Sequence, residues 1–159
     1  MLRRSLAPLV ILHICAALIL GLGVVPAFSD APRAEAPSQP PAVSTGSIRV
    51  FDGDTLHDAA HGVTYRIENI DTPETGDRAH CAAERAHAAR ATRTVRAMIR
   101  SARALDIYSA GRTDRYDRVL ARVSVDGRDL GETLIAYGLA RPWRGRREPW
   151  CDARGDLIL

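Results

Sequence analysis

The chain has 159 residues, a length that fits one domain plus a leader. Its 22 basic side chains are all arginine, against 19 Asp and Glu; from Gly46 to Leu159 the count is 19 Arg to 17 acids. So small an excess excludes a nucleic-acid binder that works through bulk charge, and any such role has to come from a local cluster. The exclusive use of arginine reads as coding bias as readily as selection, although its planar fork suits phosphate better than lysine does.

Met1-Leu2-Arg3-Arg4 opens onto an apolar run from about Leu6 to Val25, followed by the small residues Ala27 and Ser29. Residues 1–29 therefore read as an export signal. The run is also close to bilayer length, so an uncleaved inner-membrane anchor through residues 5–28 is the competing expectation. Ile14 stands before Cys15 where a lipidated cysteine needs a small residue, so a lipoprotein is not expected. Residues 30–45, rich in Pro, Ala and Ser, read as a disordered spacer, and folding is expected from Gly46 to Leu159.

Ser47–Phe51, Thr55–Ala59 and Val63–Ile70 alternate and are rich in β-formers, with turn signals at Asp52-Gly53 and His61-Gly62; they predict a three-stranded meander. Ala79 to Ala104 lacks Gly and Pro, and Val95, Met98, Ile99 and Ala102 recur at helical spacing, so its bulk predicts one helix. The arginines on its other faces are expected to be a solvated surface. Leu105–Ser109 and Val119–Val125 predict two more strands. Asp129 with Glu132 predicts a capped short helix that buries Leu130, Leu134 and Ile135 and stops at Gly138. The order β-β-β-α-β-β-α is that of a mainly β (α+β) domain: a five-stranded OB-type Greek-key barrel with a long helix between strands three and four and a short one after strand five. That fold by itself says little about function.

Beyond the leader two cysteines remain, Cys81 and Cys151, in a segment expected to face an oxidising compartment. A disulfide closing a loop of about 70 residues is the natural reading, worth about 4 kcal/mol in the chain-entropy model; two buried thiols are the alternative. His80 and His87 lie nearby, but the paired spacing of structural zinc sites is absent.

Three stretches concentrate charge where a purely structural domain needs none: Asp52-Gly53-Asp54-Thr55; Arg66 followed by Asp71-Thr72-Pro73-Glu74-Thr75; and Thr113-Asp114-Arg115-Tyr116-Asp117-Arg118. Carboxylates at the ends of neighbouring strands can converge as a hard divalent cation requires, although either acidic stretch alone is as well explained by a turn. Taken with the E-x-L-I-x-x-G-L-A run at 132–140, they closely resemble the staphylococcal nuclease (thermonuclease) family, over about Ile48 to Ala140.

That resemblance implies a calcium-dependent phosphodiesterase acting on DNA and RNA, single strands preferred, and leaving 3′-phosphate ends. It implies Ca²⁺ held by the carboxylates of Asp54 and Asp71 and the backbone oxygen of Thr72. Glu74 is implied as general base, Arg66 and Arg118 as the pair that grips the phosphate, and Tyr116 as a residue that hydrogen-bonds a terminal phosphate. The chemistry asks for the same types. A phosphodiester anion repels hydroxide, so the site must supply positive charge that strengthens as the phosphorane forms, and a carboxylate must accept the water proton.

Two departures stand out. Asp117 takes a position where the best-known member has Gly in a tight turn, and Asp tolerates a positive φ better than most residues. The C-terminal stretch RPWRGRREPWC replaces that member's tyrosine-rich loop. It is open to two readings: nucleic-acid contacts through Arg141, Arg144, Arg146, Arg147 and a stacking Trp143 or Trp150, or packing of the tryptophans on the barrel with Cys151 pinning the tail, preferred for Trp150. The expected protein is exported, periplasmic or secreted, and monomeric, with no obligate protein partner. A non-catalytic OB module that binds nucleic acid or protein, and a structural envelope protein, are the alternatives.

Overall fold

The computed structural model describes residues 43–159. Residues 1–29, expected to be an export signal and containing Cys15, and the expected spacer as far as residue 42 lie outside the described residues. Among the described residues, no helix is long and apolar enough to cross a membrane.

The fold begins earlier than Gly46. Val43 packs against the core and its N–H reaches Leu105 O at 3.4 Å, so the last residues assigned to the spacer belong to the domain. A 3-10 turn, Thr45–Ser47, leads into β1 (Ile48–Val50), β2 (Thr55–Asp58) and β3 (Val63–Ile67). These pair antiparallel in sequence, with Val50 opposite Leu56 and Thr55 opposite Arg66. The third strand is shorter than its alternation suggests. Asn69 adopts φ 63°, a left-handed conformation that breaks the strand, and Ile70–Asp71 leave as a separate strand β4.

The helix α1 spans Ala82–Ser101, three residues inside each end of the expected segment. Cys81 is its extended N-cap, and the Cys81 sulfur accepts the Glu84 N–H at 3.3 Å. Ala88, Ala91, Val95 and Ile99, at helical spacing, are almost fully buried against the sheet. β5 (Leu105–Thr113) runs four residues beyond Ser109, with an irregularity between Ser109 and Thr113, and β6 (Val119–Val125) has the expected limits. β6 lies antiparallel to β5 and parallel to β3, with Leu120 beside Arg66.

The resulting strand order, β1-β2-β3-β6-β5, is the OB path. Among the described residues no ladder joins β1 to β5, so the sheet is open at that seam. β7 (Arg128–Asp129) adds a short pairing to β6, and α2 (Leu130–Ala136) follows directly. Asp129 accepts the Glu132 N–H at 2.9 Å, and Gly138 at φ 65° ends the helix, as expected of the cap and stop residues. Leu56, Leu130 and Leu134 are fully buried, each worth about 1.5–3 kcal/mol by removal from water.

Two features tie the C-terminal stretch to the sheet. β8 (Arg141–Pro142) pairs with β4, placing Arg141 opposite Asp71. Cys81 and Cys151 are bonded across 70 residues, with Cα atoms 6.3 Å apart. The tail is thereby held at the start of α1 and at the exit of β4.

Candidate active site

The turn between β1 and β2 is built by its own side chains. Asp52 Oδ1 accepts the Asp54 N–H at 3.1 Å, which folds the chain back and turns Asp54 inward. Gly53 is required by packing: a Cβ there would lie 2.9 Å from Thr72 Cγ2 and 3.1 Å from Ala91 Cβ. Asp54 is buried, and its Oδ2 accepts both the N–H and the hydroxyl of Thr72, at 3.1 and 2.7 Å. Thr55 Oγ1 donates to the other oxygen at 3.2 Å. The first acidic motif is thus fastened to the second.

Arg66 leaves β3 next to this turn. Its Nη1 meets Asp54 Oδ2 and its Nη2 donates to Ile70 O at 3.2 Å, while the side chain is 11% exposed. Burial first, then repulsion from Arg118 and Arg147, lowers its pKa to about 10, so it remains cationic at neutral pH. Arg118, at the entry to β6, donates twice to Asp114 Oδ2, at 2.8 and 2.6 Å, and once to Thr55 Oγ1 at 3.3 Å. Burial pushes the Asp114 carboxyl up. Hydrogen bonds from the Arg118 side chain and from the Tyr116 and Arg118 amides outweigh it and hold the group below the usual carboxylate range.

Asp117 sits at φ 63° in the turn that presents Arg118, in the left-handed region expected at that position. Tyr116 is exposed on the same turn, with the guanidinium carbons of Arg115 and Arg118 lying 4.9 and 5.3 Å from its ring centre.

The tail completes the site. Asp71 is buried; Trp150 Nε1 donates to its Oδ2 at 3.1 Å, and Arg147 Nη2 lies 3.1 Å from its Oδ1 without forming an aligned hydrogen bond. The other end of the Arg147 fork meets Glu74 Oε1, while Arg78 Nε lies 3.0 Å from Glu74 Oε2. Trp150 is 1% exposed and lies under the Arg141 guanidinium, whose carbon is 3.5 Å from the ring centre. Trp150 packs as preferred from the sequence, but its hydrogen bond to Asp71 carries no sequence signal.

Glu84 is a further residue that sequence reasoning missed. It is 1% exposed, and it accepts the Glu74 N–H through Oε1 at 3.0 Å and the His80 N–H through Oε2 at 2.7 Å. Its only sequence signal is an acid on the apolar face of a helix, three residues after the N-cap. A buried carboxylate holding two amides fixes the loop that carries Glu74.

Asp54, Arg66, Thr72, Glu74, Tyr116 and Arg118 all line one cleft of about 1360 Å³, which Arg147 also lines. Asp71 lies behind it, in contact with Arg147. Among the described residues no group of three or more His, Cys, Asp or Glu side chains gathers as a metal site. The donors present nevertheless fit a hard cation of the oxygen-preferring class. Asp71 Oδ1 is a buried carboxylate oxygen with no hydrogen-bond partner, and Asp54 is tied by Thr72 to the same strand end.

Residues 64–155 match the family model described as staphylococcal nuclease homologue. The chain is 35% identical over 96 residues to "Endonuclease YncB" of Bacillus subtilis (strain 168), an alignment covering 58% of this chain and 44% of that protein. It is 36% identical over 96 residues to "SPbeta prophage-derived endonuclease YokF" of the same organism, covering 58% and 32%. The chain thus spans less than half the length of these curated relatives.

Proposed function

Because the chain belongs to the staphylococcal nuclease homologue family, we propose that it is a calcium-dependent nuclease hydrolysing phosphodiester bonds of DNA and RNA. One observation carries the reading: two guanidiniums, Arg66 on β3 and Arg118 in the turn that enters the neighbouring β6, face one cleft beside a carboxylate, Glu74, whose loop is held by the buried Glu84.

Arg118 keeps its fork aligned through Asp114, and Arg66 is pinned to Ile70 O, so both present fixed donors to a phosphate entering the cleft. In that partly water-excluded place their charge counts most as the phosphorane acquires its extra negative charge. Glu74 accepts the proton of the attacking water, whose oxygen bonds to phosphorus as the P–O5′ bond breaks; the O5′ alkoxide takes a proton from solvent water, Glu74 gives its own back to solvent, and the phosphate stays on the 3′ side. Asp54, Asp71 and the Thr72 carbonyl would hold the calcium ion, which supplies Lewis-acid polarisation of the phosphoryl oxygen. Tyr116, exposed at the mouth, reaches a terminal phosphate of the bound strand. The basic start and apolar run of residues 1–29 support an exported protein, with retention as an inner-membrane anchor as the variant of that reading.

The test is cleavage of single-stranded DNA and RNA by the oxidised chain in millimolar calcium, with end-group assignment of the products. Cleavage abolished by chelator, leaving 3′-phosphates, is expected. Binding without cleavage would instead identify a non-catalytic module.

A further inference from the structure

Phe51 lies between two depressions. On one side it lines the catalytic cleft next to Asp52 and Asp54; on the other it lines a groove of about 420 Å³ between β1 and α1. It is 54% exposed, and it is held there by stacking on His57, ring centres 5.6 Å apart and planes 10° apart. An exposed aromatic ring supported from behind is poorly explained by core packing.

The groove beyond it has an apolar floor, Val50 and Ile99, and three arginines, Arg49, Arg96 and Arg100. Arg96 is fixed in place, donating to Val50 O through Nε and Nη2 at 3.3 and 2.9 Å. Among the described residues none of the three lies within ion-pair distance of a carboxylate, unlike the cleft arginines Arg66, Arg118 and Arg147; elsewhere on the surface such unpartnered arginines also occur, and here three of them line one groove. α1 carries five arginines and a single acid, Glu84, which is buried facing the other way. A solvated face interleaves both signs of charge; this one does not.

We propose that this groove is a second subsite for a single-stranded nucleic acid, holding the strand where it runs out of the cleft. The inference rests on the nuclease reading of that cleft. Three observations favour this occupant: guanidiniums without a carboxylate partner for the backbone, an exposed ring for a base, and continuity with the cleft through Phe51. A positive groove with stacking side chains is how sequence-tolerant single-strand binding is built. The subsite makes the protein prefer long strands over short ones without reading sequence.

The experiment is equilibrium binding by fluorescence anisotropy, using the full chain in chelator so that nothing is cleaved. Labelled oligothymidylates of about 16 nucleotides and of two nucleotides are compared across a salt series. The paired change Arg49→Ala with Arg100→Ala is expected to weaken the long strand about 10-fold and to lower the slope of log K against log salt by about 1.4, two phosphate contacts at ~0.7 each. Phe51→Leu is expected to weaken it at least about 5-fold, the loss of one stacked base. The dinucleotide is expected to change less than the long strand in both variants. Equal losses for both lengths, an unchanged salt slope, or a loss confined to a parallel binding titration with phosphatidylglycerol vesicles would overturn the subsite. Groove-dependent binding without any calcium-dependent cleavage would sink the nuclease proposal alone; cleavage with an unchanged slope would sink only the groove.

Discussion

Replacing Glu84 by Gln probes how the Glu74 loop is held. Glu84 accepts one amide on each oxygen, from Glu74 at 3.0 Å and His80 at 2.7 Å, in a place that is 1% exposed. Gln has the same shape but a single acceptor, so in either orientation an NH₂ group confronts a backbone N–H. The substitution loses one charge-assisted hydrogen bond, about 1.5–3 kcal/mol, and leaves a buried donor unpaired, at a further 1–3 kcal/mol or so. Local relaxation of the exposed Gly76–Arg78 turn offsets part of this, for a net loss of about 3 kcal/mol. For a domain of this size that lowers the melting temperature by about 10 °C. Circular dichroism melts of the oxidised proteins measure it. A shift below about 2 °C would refute the reasoning, since it would mean the two amides are satisfied without the carboxylate.

Removing the disulfide by Cys81→Ser with Cys151→Ser is expected to cost about 4 kcal/mol in urea denaturation, from the 70-residue closure. Asp114→Asn tests the pair with Arg118. The folded Asp114 pKa is depressed, so its contribution is present above the unfolded value of about 3.9 and is lost as pH falls through the lower folded value. The melting-temperature gap between wild type and variant is therefore expected to hold from neutral pH to about 5 and to close below about 4, and a gap that widens in acid would contradict the sign. Glu74→Gln is expected to lower turnover about 10²–10⁴-fold and Arg118→Ala about 10²–10³-fold, with melting temperatures kept within a few degrees; unchanged turnover would remove those roles.

Elements governed by local rules were legible in the sequence. The meander follows from alternation, α2 from Asp129 and Gly138, and the disulfide from cysteine parity. The candidate residues came from three motifs whose spacing matches strand ends, and one cleft brings together Asp54, Arg66, Thr72, Glu74, Tyr116 and Arg118, with Asp71 standing behind it. What escaped is tertiary. Asn69 interrupts the third strand through a left-handed backbone that alternation does not encode. Glu84 looks like one more helix charge until the loop amides arrive from ten and four residues away. Arg147 reads as a tail cation available for nucleic acid, yet it bridges Asp71 and Glu74, because β4–β8 pairing and the disulfide bring residues 141–151 across the site. The groove beside α1 was passed over because an arginine-rich helix face looks solvated until its lack of acidic partners is seen in space.

The Cys81–Cys151 bond also governs what happens when the chain is cut. The stretch from Trp143 to Arg147 is exposed and contains Arg144, Arg146 and Arg147, an inviting target for an arginine-directed protease. A cut there severs the backbone but leaves Cys151, and with it Trp150 against Asp71, attached to the first turn of α1. Nicked protein would migrate as one species until a reductant is added and would then release a short C-terminal peptide. Wherever proteases meet the chain, backbone cleavage there would not by itself remove Trp150 from beneath Asp71.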